Sequence, residues 1–367
     1  MNIAIDARAA QWYTGTGMGT YATGLIAGLA EINNRNIHVI LPNGEYSPAD
    51  AAAVAEIKTE ENKDFWRLVQ EDPIAPKENW DVLHNLHNGF GLPQVSSCPT
   101  VVTIHDLIPL IMPEYCGSPY REIFQEKIEG IAQNADRIIA ASHSTKRDII
   151  RLLRIPPQKI TVIYQGISPI YHRLNKEAVK RGLVKNYGIE EDFILYVGGF
   201  NPRKNLTALV EAFCLIQEEI PWNLVIAGKE GKRSAEIKEL AKKQGETGRI
   251  IFTGYLPTKD LTLFYNGAKT FVYPSLYEGF GLPPLEAAAC GTAVIVGNTS
   301  SLPEVMADKA LYVNPLRSEE LARAILSLYR YEDQRLTLAR EAFSHSRLFS
   351  QQIAARKTMA LYENLCR

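Results

Sequence analysis

The sequence lacks the features that mark several specialised classes of protein. No apolar run reaches the roughly 18 residues that a membrane-spanning helix needs, and the start, MNIAIDARAA, has no basic segment followed by an apolar stretch. Acidic and basic residues nearly balance, at 41 and 40, so the formal net charge of −1 gives no electrostatic reason to expect nucleic acid as a partner. The sequence therefore predicts a globular protein without a membrane span or a signal peptide.

Cysteine is also scarce. The 5 cysteines of the 367-residue chain are widely spaced, and none forms a CxxC pair. This pattern predicts neither a disulfide framework nor a zinc site, and it is typical of a protein from the reducing cytoplasm.

Short β-branched runs alternate with helical periodicity along almost the whole chain. The runs are NIAID, IHVIL, DVLH, TVVTIH, RIIAAS and KITVIYQG in the first half, and FILYVGG, NLVIAG, IIFTG, TFVYPS, AVIVGN and ALYV in the second. Such alternation predicts parallel sheets with helices on both faces. Because the chain is long enough for two ordinary domains and the pattern restarts at Phe193, we predict two doubly wound α/β domains.

The restart also predicts the domain boundaries. We assign residues 1–170 to an N-terminal domain, 171–189 to a linker, 190–345 to a C-terminal domain and 346–367 to a final helix that packs back on either domain. The least regular region, 42–80, is interpreted as a helix with exposed charges. Ligands of open α/β sheets bind beyond the carboxyl ends of the strands, so the expected site is the cleft between the two domains.

Glycines follow the first predicted strand. Gly15, Gly17 and Gly19 lead directly into a helix, where they let backbone N–H groups approach an anion. A plain tight turn is the alternative. A dinucleotide-binding fold would need a glycine in place of Thr20 and an acid after the second strand, so NAD is not predicted.

Histidines mark two further strand ends in the first half. His105 and Asp106 end TVVTIHD, while His84, His87 and Asn88 end the strand before it. A structural role in packing or capping remains the alternative for His105. The spacing of His84 and His87 suggests a metal, but no carboxylate partner lies nearby in the sequence, so a metal site is not predicted.

Cations follow the first strand of the second half. In YVGGFNPRKN, Arg203 and Lys204 precede a helix that we predict to start near Asn205, and two cations beside a helix N-terminus suit a diphosphate. The alternative is a solvated basic turn. The basic run STKRDIIRLLRIPPQK is interpreted as a solvated helix face, with a contact to anionic lipid as the second reading.

Two glutamates lie on either side of a rigid turn in LYEGFGLPPLEA. Pro283 is expected to start a helix, which puts Glu286 about one turn, roughly 5 Å, further along it, while Glu278 precedes the turn. The two carboxylates would then lie at separate ends of the turn. The structural alternative is that the glycines only permit positive φ and the prolines only start the helix.

Taken in their order and spacing, GGFNPRKN, YEGFGLPPLEA, the N-terminal glycines and HD resemble the retaining glycosyltransferases of the GT-B architecture. The glutamate pair resembles the E-x7-E motif of family 4, and the resemblance runs over essentially the whole chain. The opening, IAIDAR and GTGMGTYATGLIAGL, is most similar to bacterial mannosyltransferases of polysaccharide and O-antigen assembly. The resemblance implies two Rossmann-like domains facing a central cleft.

The resemblance also implies a reaction and its participants. A hexose, with mannose from GDP-mannose as the best guess, would pass from a GDP- or UDP-linked donor to a glycan or lipid-linked saccharide with retained configuration. The donor is a substrate, so no cofactor is implied, and no metal either, because the Asp-x-Asp motif of metal-dependent transferases is absent. The implied location is cytoplasmic, with a weak peripheral contact at the inner membrane face.

Site residues carry over position by position. The implied catalytic residues are His105, Arg203, Lys204 and Glu278. Donor contacts are implied for the phosphate, sugar, base and ribose, and fall on Gly17, Gly19, Gly199, Gly228, Lys229, Tyr255, Leu256, Gly279, Phe280, Gly281, Leu282 and Glu286. Acceptor contacts are expected from the first domain, at His84, His87 and Asn88 and from the region 42–80.

Two other functions fit the same architecture. A nucleotide-sugar epimerase would need its own acid and base residues near the sugar, and no distinct set is visible in the sequence. A non-catalytic sugar-nucleotide-binding subunit would be expected to have lost some site residues, yet His105, both cations and both glutamates are present.

Overall fold

The computed structural model describes residues 1–13, 15–32, 36–42, 44–47, 74, 79–93, 95–230, 232–244 and 248–366. The charged helix predicted within the region 42–80 lies outside the described residues. The chain divides into two compact units, Met1–Ile167 with Phe349–Arg367, and Ser168–Leu348. Residues 171–189, which we assigned to a linker, therefore lie within the second unit, where the helix Lys176–Tyr187 buries Val179 and Leu183.

The first unit is a doubly wound sheet. Its strands are β1 (Ile3–Asp6), β2 (Ile37–Leu41), β3 (Gly44–Tyr46), β4 (Val82–Asn85), β5 (Thr100–Ile104), β6 (Arg137–Ala140) and β7 (Ile160–Val162). They lie in the order β3-β2-β1-β4-β5-β6-β7, and all pairs are parallel except β2 with β3. Its helices are α1 (Ala9–Trp12), α2 (Gly17–Ile32), α3 (Ile108–Ile111), α4 (Tyr120–Asn134), α5 (His143–Leu153) and, from the end of the chain, α14 (Gln351–Leu365).

The second unit repeats the plan with a parallel sheet. Its strands are β8 (Phe193–Val197), β9 (Asn223–Ala227), β10 (Ile250–Gly254), β11 (Thr270–Tyr273), β12 (Ala293–Gly297) and β13 (Leu311–Val313), in the order β10-β9-β8-β11-β12-β13. Its helices are α6 (Lys176–Tyr187), α7 (Leu206–Ile216), α8 (Lys232–Lys243), α9 (Thr258–Gly267), α10 (Leu282–Ala289), α11 (Leu302–Met306), α12 (Ser318–Arg330) and α13 (Glu332–Ser346).

The sheets confirm the predicted fold class. Every predicted strand is present, and strands such as β5 and β12 are buried at each position because helices cover both faces. The strand β3 was not predicted, since its residues are largely exposed and show no apolar run. Among the described helices, none combines the length and the apolar character required to cross a bilayer.

The final helix α14 packs closely on α2. A Cβ atom added at Gly28 would lie 2.5 Å from the carbonyl oxygen of Gln351, so glycine at this position permits the close approach. Ala354, Ala355, Met359 and Tyr362 join the same apolar cluster as Leu25, Ile26 and Leu29. Both ends of the chain therefore build the core of the first unit.

Strand order fixes where a ligand can bind in each unit. In the first sheet the chain runs from β1 to one neighbour, β2, and later to the other, β4. In the second sheet β8 has the same position between β9 and β11. Crevices form beyond the carboxyl ends of the strands where the order reverses in this way. The residues that follow β1, β4, β8 and β11 therefore lie where ligands bind in sheets of this kind.

Candidate active site

The cations of the second unit lie in a short turn after β8. Residues Pro202–Lys204 form one turn of 3-10 helix, whose N-cap Asn201 accepts a hydrogen bond from the backbone N–H of Arg203 at 3.0 Å. Asn205 then adopts φ of 58°, a conformation that asparagine tolerates, and α7 begins at Leu206. The side-chain amide of Asn205 donates to the carbonyls of Pro274 (3.2 Å) and Pro315 (2.5 Å), which fastens the turn to the segments after β11 and β13.

Both cations contact Glu278. Its Oε1 atom lies 2.8 Å from Nη1 of Arg203 and 2.7 Å from Nζ of Lys204. Arg203 also donates to the carbonyl of Tyr277, and Lys204 donates to the hydroxyl of Tyr273, whose ring lies 4.9 Å from the ammonium. The structure thus brings three predicted catalytic residues of the second unit into one cluster, together with Tyr273, which the sequence analysis missed.

Glu278 is buried and the two cations are partly exposed, at 14% for the side chain of Arg203 and 17% for that of Lys204, and the cluster carries a net positive charge. Glu278 is only 7% exposed. Burial raises the pKa of its carboxyl, but the charges of Arg203 and Lys204 outweigh this effect and lower the pKa to about 2. The pKa of Tyr273 is raised, by burial first and then by the charge of Glu278, so its hydroxyl stays neutral. Two cations and one carboxylate leave a single positive charge.

The turn after Glu278 is held by the serines that precede α11. The backbone N–H of Glu278 donates to Oγ of Ser300 at 2.7 Å, while Oγ of Ser301 donates to the carbonyls of Glu278 (2.9 Å) and Phe280 (2.7 Å). Gly281 has φ of 105°, which a residue with a side chain rarely adopts. The backbone conformation therefore accounts for the glycine at 281, whereas Gly279 is not among the glycines with positive φ.

Glu286 occupies a contrasting environment. It lies on α10, which has prolines in its first turn, and is 7% exposed. The hydroxyl of Tyr265, on α9, donates to its Oε2 at 2.8 Å, and the ring of Tyr171 packs edge-on against Tyr265. Burial raises the pKa of Glu286 to about 7, although the hydrogen bond from Tyr265 opposes the rise. The two glutamates are therefore tuned in opposite directions.

The remaining predicted donor contacts differ in exposure. Tyr255 is 51% exposed and Lys229 is exposed, whereas Leu256 is buried. Gly228 is a glycine for a structural reason, because an added Cβ atom would lie 1.9 Å from the carbonyl oxygen of Gly198. At Gly199 an added Cβ would meet nothing within 4 Å. Gly279 lies between Glu278 and the buried residues Phe280 and Leu282.

In the first unit the N-terminal glycines belong to a helix as well as a loop. Gly15 has φ of 80° and forms the turn. Gly17 and Gly19 lie in the first turn of α2, where the hydroxyl of Thr16 accepts a hydrogen bond from the backbone N–H of Gly19 at 3.3 Å. An added Cβ at Gly17 would meet nothing within 4 Å, so packing does not require this glycine.

His105 is buried and fixed by four partners. Its Nε2 lies 2.8 Å from the carbonyl of Leu86, and its Nδ1 lies 3.2 Å from the side-chain amide of Gln165. A carbonyl only accepts, so Nε2 carries the proton and Nδ1 accepts from Gln165. The backbone of His105 is held by Asn88 and Thr145. Burial lowers its pKa to about 4, so the ring is neutral at pH 7.

His84 is a core residue in this structure. Its Nδ1 lies 2.5 Å from the hydroxyl of Tyr362 and its Nε2 lies 2.8 Å from the hydroxyl of Thr103, which in turn lies 3.1 Å from the hydroxyl of Tyr21. Burial lowers the pKa of His84 to about 3. Its ring has no exposed atom to offer an acceptor, because α14 covers it.

A polar cluster at the reversal point of the first sheet was missed by the sequence analysis. Arg8 forms a two-point ion pair with Asp6, with Nε–Oδ1 and Nη2–Oδ2 distances of 2.9 Å each. The amide of Asn85 donates to Asp6 Oδ2 at 2.8 Å, and His87 Nε2 lies 3.6 Å from the same oxygen. The motif DAR, which begins at the last residue of the first strand, was the available indication.

This cluster holds the loop after β4. The side-chain oxygen of Asn85 accepts from the backbone N–H groups of His87 (2.9 Å) and Gly89 (2.8 Å). His87 and Asn88, both predicted to contact the acceptor, are buried within this loop, and Asn88 adopts φ of 61°. Within the part of the chain that the structure describes, no group of three or more potential metal ligands comes together.

Comparison with known proteins identifies the family. Residues 15–170 match the family described as Glycosyltransferase Family 4, and residues 183–345 match Glycosyl transferases group 1. The O-antigen chain mannosyltransferase B of Escherichia coli is 30% identical over 267 residues, which are 72% of this chain and 70% of that protein. The serotype-specific mannosyltransferase WbdA of Escherichia coli is 35% identical over 258 residues, which are 68% of this chain but only 32% of WbdA. The chain thus spans about a third of WbdA.

Solved structures share the fold at low identity. HepE of Anabaena, solved with UDP and glucose, has a TM-score of 0.76 at 16% identity, covering 99% of this chain and 100% of that one. Sucrose-phosphate synthase from Thermosynechococcus elongatus has a TM-score of 0.76 at 22% identity, covering 100% and 99%. These likenesses establish the fold alone, but with the family matches they lead to one conclusion. The chain belongs to the GT-B glycosyltransferases, with a family 4 domain followed by a group 1 domain.

Proposed function

We propose that the protein is a retaining hexosyltransferase that uses a nucleotide-diphosphate sugar, with mannose from GDP-mannose as the first choice of donor. The acceptor would be a glycan or a lipid-linked saccharide. The observation that carries the proposal is the partly buried cluster of Arg203, Lys204 and Glu278 beyond the carboxyl ends of β8 and β11. Its net positive charge suits a leaving group that gains negative charge as the glycosidic bond breaks.

In this mechanism the cations act on the leaving diphosphate. Arg203 offers a planar fork and Lys204 a point charge, and both are held in place by hydrogen bonds within the protein. Glu286 would accept hydroxyl hydrogen bonds from the ribose, and the Glu278 turn would face the hexose. Gly17 and Gly19 would present backbone N–H groups to the phosphates, since the N-terminus of α2 favours an anion. His105 would contact the donor sugar.

Mannose is favoured by the relatives. Both relatives described above carry the name mannosyltransferase, at 30% and 35% identity, whereas HepE was solved with UDP and glucose. The test is a panel of GDP-mannose, UDP-glucose and related donors, incubated with and without a lipid-linked or oligosaccharide acceptor. We expect acceptor-dependent release of nucleoside diphosphate and an unchanged anomeric configuration by NMR. Isomerised donor would instead identify an epimerase, and binding without turnover a non-catalytic subunit.

Arg203 provides the sharpest test of the site. Loss of one preorganised electrostatic contact typically lowers kcat by about 10²–10³-fold, so the kcat of Arg203→Ala should fall by that factor. Arg203→Lys should recover only part of the lost kcat, because lysine lacks the planar fork of the guanidinium group. Arg330→Ala is the matched control, because Arg330 pairs with Glu219 on the exposed surface of the same unit. A normal kcat for Arg203→Ala would remove this arginine from the proposed site.

We also propose that turnover needs no divalent metal, because Arg203 and Lys204 supply positive charge where the diphosphate leaves. Activity should persist in excess EDTA. Loss of turnover in the chelator, restored by Mg²⁺ or Mn²⁺, would contradict the proposal.

A peripheral membrane contact is proposed for α5. Its exposed face carries Arg147, Arg151 and Leu152, and Arg154 follows at its C-cap, while Ile149 and Leu153 are buried. Cations beside an exposed apolar residue favour an anionic lipid surface. Binding to vesicles containing phosphatidylglycerol should exceed binding to pure phosphatidylcholine vesicles, and the Arg147→Glu, Arg154→Glu double variant should abolish the difference. Equal binding to both vesicle types would exclude this contact.

A further inference from the structure

The charged groups around Glu278 determine how strongly the site attracts a diphosphate. The inference drawn from them rests on the proposed function. Arg203 and Lys204 both donate to the same oxygen, Oε1, at 2.8 and 2.7 Å. Tyr196 and Tyr273, which stack on one another beside the cluster, are buried and neutral. Within the described residues, the charged groups of this cluster are therefore the two cations and the single carboxylate of Glu278.

The donor and the product differ in charge at this place. A nucleotide-diphosphate sugar carries roughly two negative charges at pH 7, whereas the free nucleoside diphosphate carries roughly three, because its terminal phosphate has a second ionisation near pH 6. A site built for strong attraction to the developing charge also holds the finished product strongly. Uniform attraction of that kind slows the enzyme through slow release.

We propose that Glu278 sets the net charge of the phosphate site, so that the diphosphate product is released rather than trapped. Its fixed negative charge lies within hydrogen-bonding distance of both cations and so lies close to any phosphate that they bind. Repulsion from this carboxylate grows with the charge of the ligand. The carboxylate therefore weakens the binding of the diphosphate product more than the binding of the donor. It has little effect on the binding of a mononucleotide, which lacks the second phosphate.

The substitution Glu278→Gln isolates the charge. Glutamine has nearly the same shape, and its carbonyl oxygen still accepts from Lys204 and Arg203, but the net charge of the cluster rises from one to two positive charges. The dissociation constant of GDP or UDP should fall at least about tenfold, and product inhibition should become correspondingly stronger. The affinity should also decrease more steeply with added salt than in the unsubstituted protein.

Two further variants separate charge from shape. Glu278→Asp keeps the charge and changes the reach, so it should bind the diphosphates about as weakly as the unsubstituted protein. Glu286→Gln alters the other glutamate, so any effect should be equal for GMP and GDP, or for UMP and UDP. Melting curves of all variants check folding, and Glu278→Ala, which removes the same negative charge, replaces the glutamine variant in the comparison if that variant is unstable.

The experiment is isothermal titration of the full chain with GDP, UDP, GMP and UMP at two salt concentrations. Tighter diphosphate binding by Glu278→Gln, with little change for the monophosphates, supports the inference. Unchanged or weaker diphosphate binding overturns it and assigns Glu278 to holding the cations in position, while the proposed function stands. If the unsubstituted protein binds none of the four nucleotides, the proposed function fails and this inference fails with it.

Discussion

At the scale of single residues, burial alone does not decide how a carboxyl group titrates. Glu278 and Glu286 are equally exposed, at 7%. Glu278 has two cations within 2.8 Å, and its pKa falls to about 2, whereas Glu286 has one neutral hydroxyl partner, and its pKa rises to about 7. The difference lies in the partners, which come from separate segments of the chain.

These shifts predict opposite pH dependences of stability. The carboxyl of Glu286 prefers to be protonated in the folded state, because its pKa is raised there. Its contribution to the free energy of unfolding is therefore complete below its ordinary pKa of 4.5 and is lost as the pH rises through about 7. Glu286→Gln should therefore gain in melting temperature relative to the unsubstituted protein between pH 5 and 8. Melting curves at several pH values measure this, and a constant difference across the range would contradict the assigned environment.

The contribution of Glu278 has the reverse sign. It is present above the ordinary pKa of 4.5 and lost as the pH falls toward about 2. Glu278→Gln should therefore be less stable than the unsubstituted protein near pH 6, and the two should converge as the pH falls below 4.5. The free energy of unfolding in urea at pH 6, 4 and 3 gives the comparison. If the difference in free energy of unfolding between the two proteins grows as the pH falls, the carboxylate of Glu278 does not pair with Arg203 and Lys204.

At the scale of elements, two glycines at neighbouring strand ends have different reasons to be glycine. Gly228 follows β9, and an added Cβ would lie 1.9 Å from the carbonyl oxygen of Gly198. Gly199 follows β8, and an added Cβ would meet nothing within 4 Å. We expect Gly228→Ala to lower the free energy of unfolding by about 1–3 kcal/mol or more and Gly199→Ala to leave it within about 0.5 kcal/mol. Denaturant unfolding of both variants decides this, and equal losses would refute the packing argument.

The first turn of α2 offers a second matched pair. Neither Gly17, in α2, nor Gly130, in α4, has an atom within 4 Å of an added Cβ. Replacing either by alanine should stabilise the protein by up to about 1 kcal/mol, because alanine is the better helix former. Only Gly17→Ala should raise the KM for the donor, since only α2 begins where the phosphates are proposed to bind. If the KM for the donor is the same in Gly17→Ala as in the unsubstituted protein, Gly17 does not contact the donor.

Some strands and site residues could be predicted from the sequence and others could not. All the described strands except β3 were predictable because each is a short apolar run, and the cations and glutamates were predictable because they follow such runs at strand ends. Tyr265 and Tyr273 were not, since a tyrosine in an apolar helix or strand gives no indication that its hydroxyl reaches a charged group far away in the chain. His84 was assigned to the acceptor because its covering helix comes from the other end of the sequence.

At the scale of the whole molecule, the chain closes the first unit with its own C-terminal segment. The polar chain from Tyr21 through Thr103 and His84 to Tyr362 links α2, β5, β4 and α14 inside an otherwise apolar core. Each member is buried, so each depends on the next for its hydrogen bond. If one partner is removed, its neighbour becomes a buried polar group without a hydrogen bond, and the folded state then bears the full desolvation penalty of that group.

Tyr362→Phe tests this closure. The variant keeps the ring but leaves the Nδ1 atom of His84 without its hydroxyl partner, so the free energy of unfolding should fall by about 1–3 kcal/mol. Hydrogen exchange followed by mass spectrometry should detect lost protection in α2, β4 and α14, and none in the strands of the second unit. Tyr331→Phe is the control, since that tyrosine is 58% exposed. If protection were lost equally in both units, or in neither, the C-terminal helix would not be the element that completes the first core.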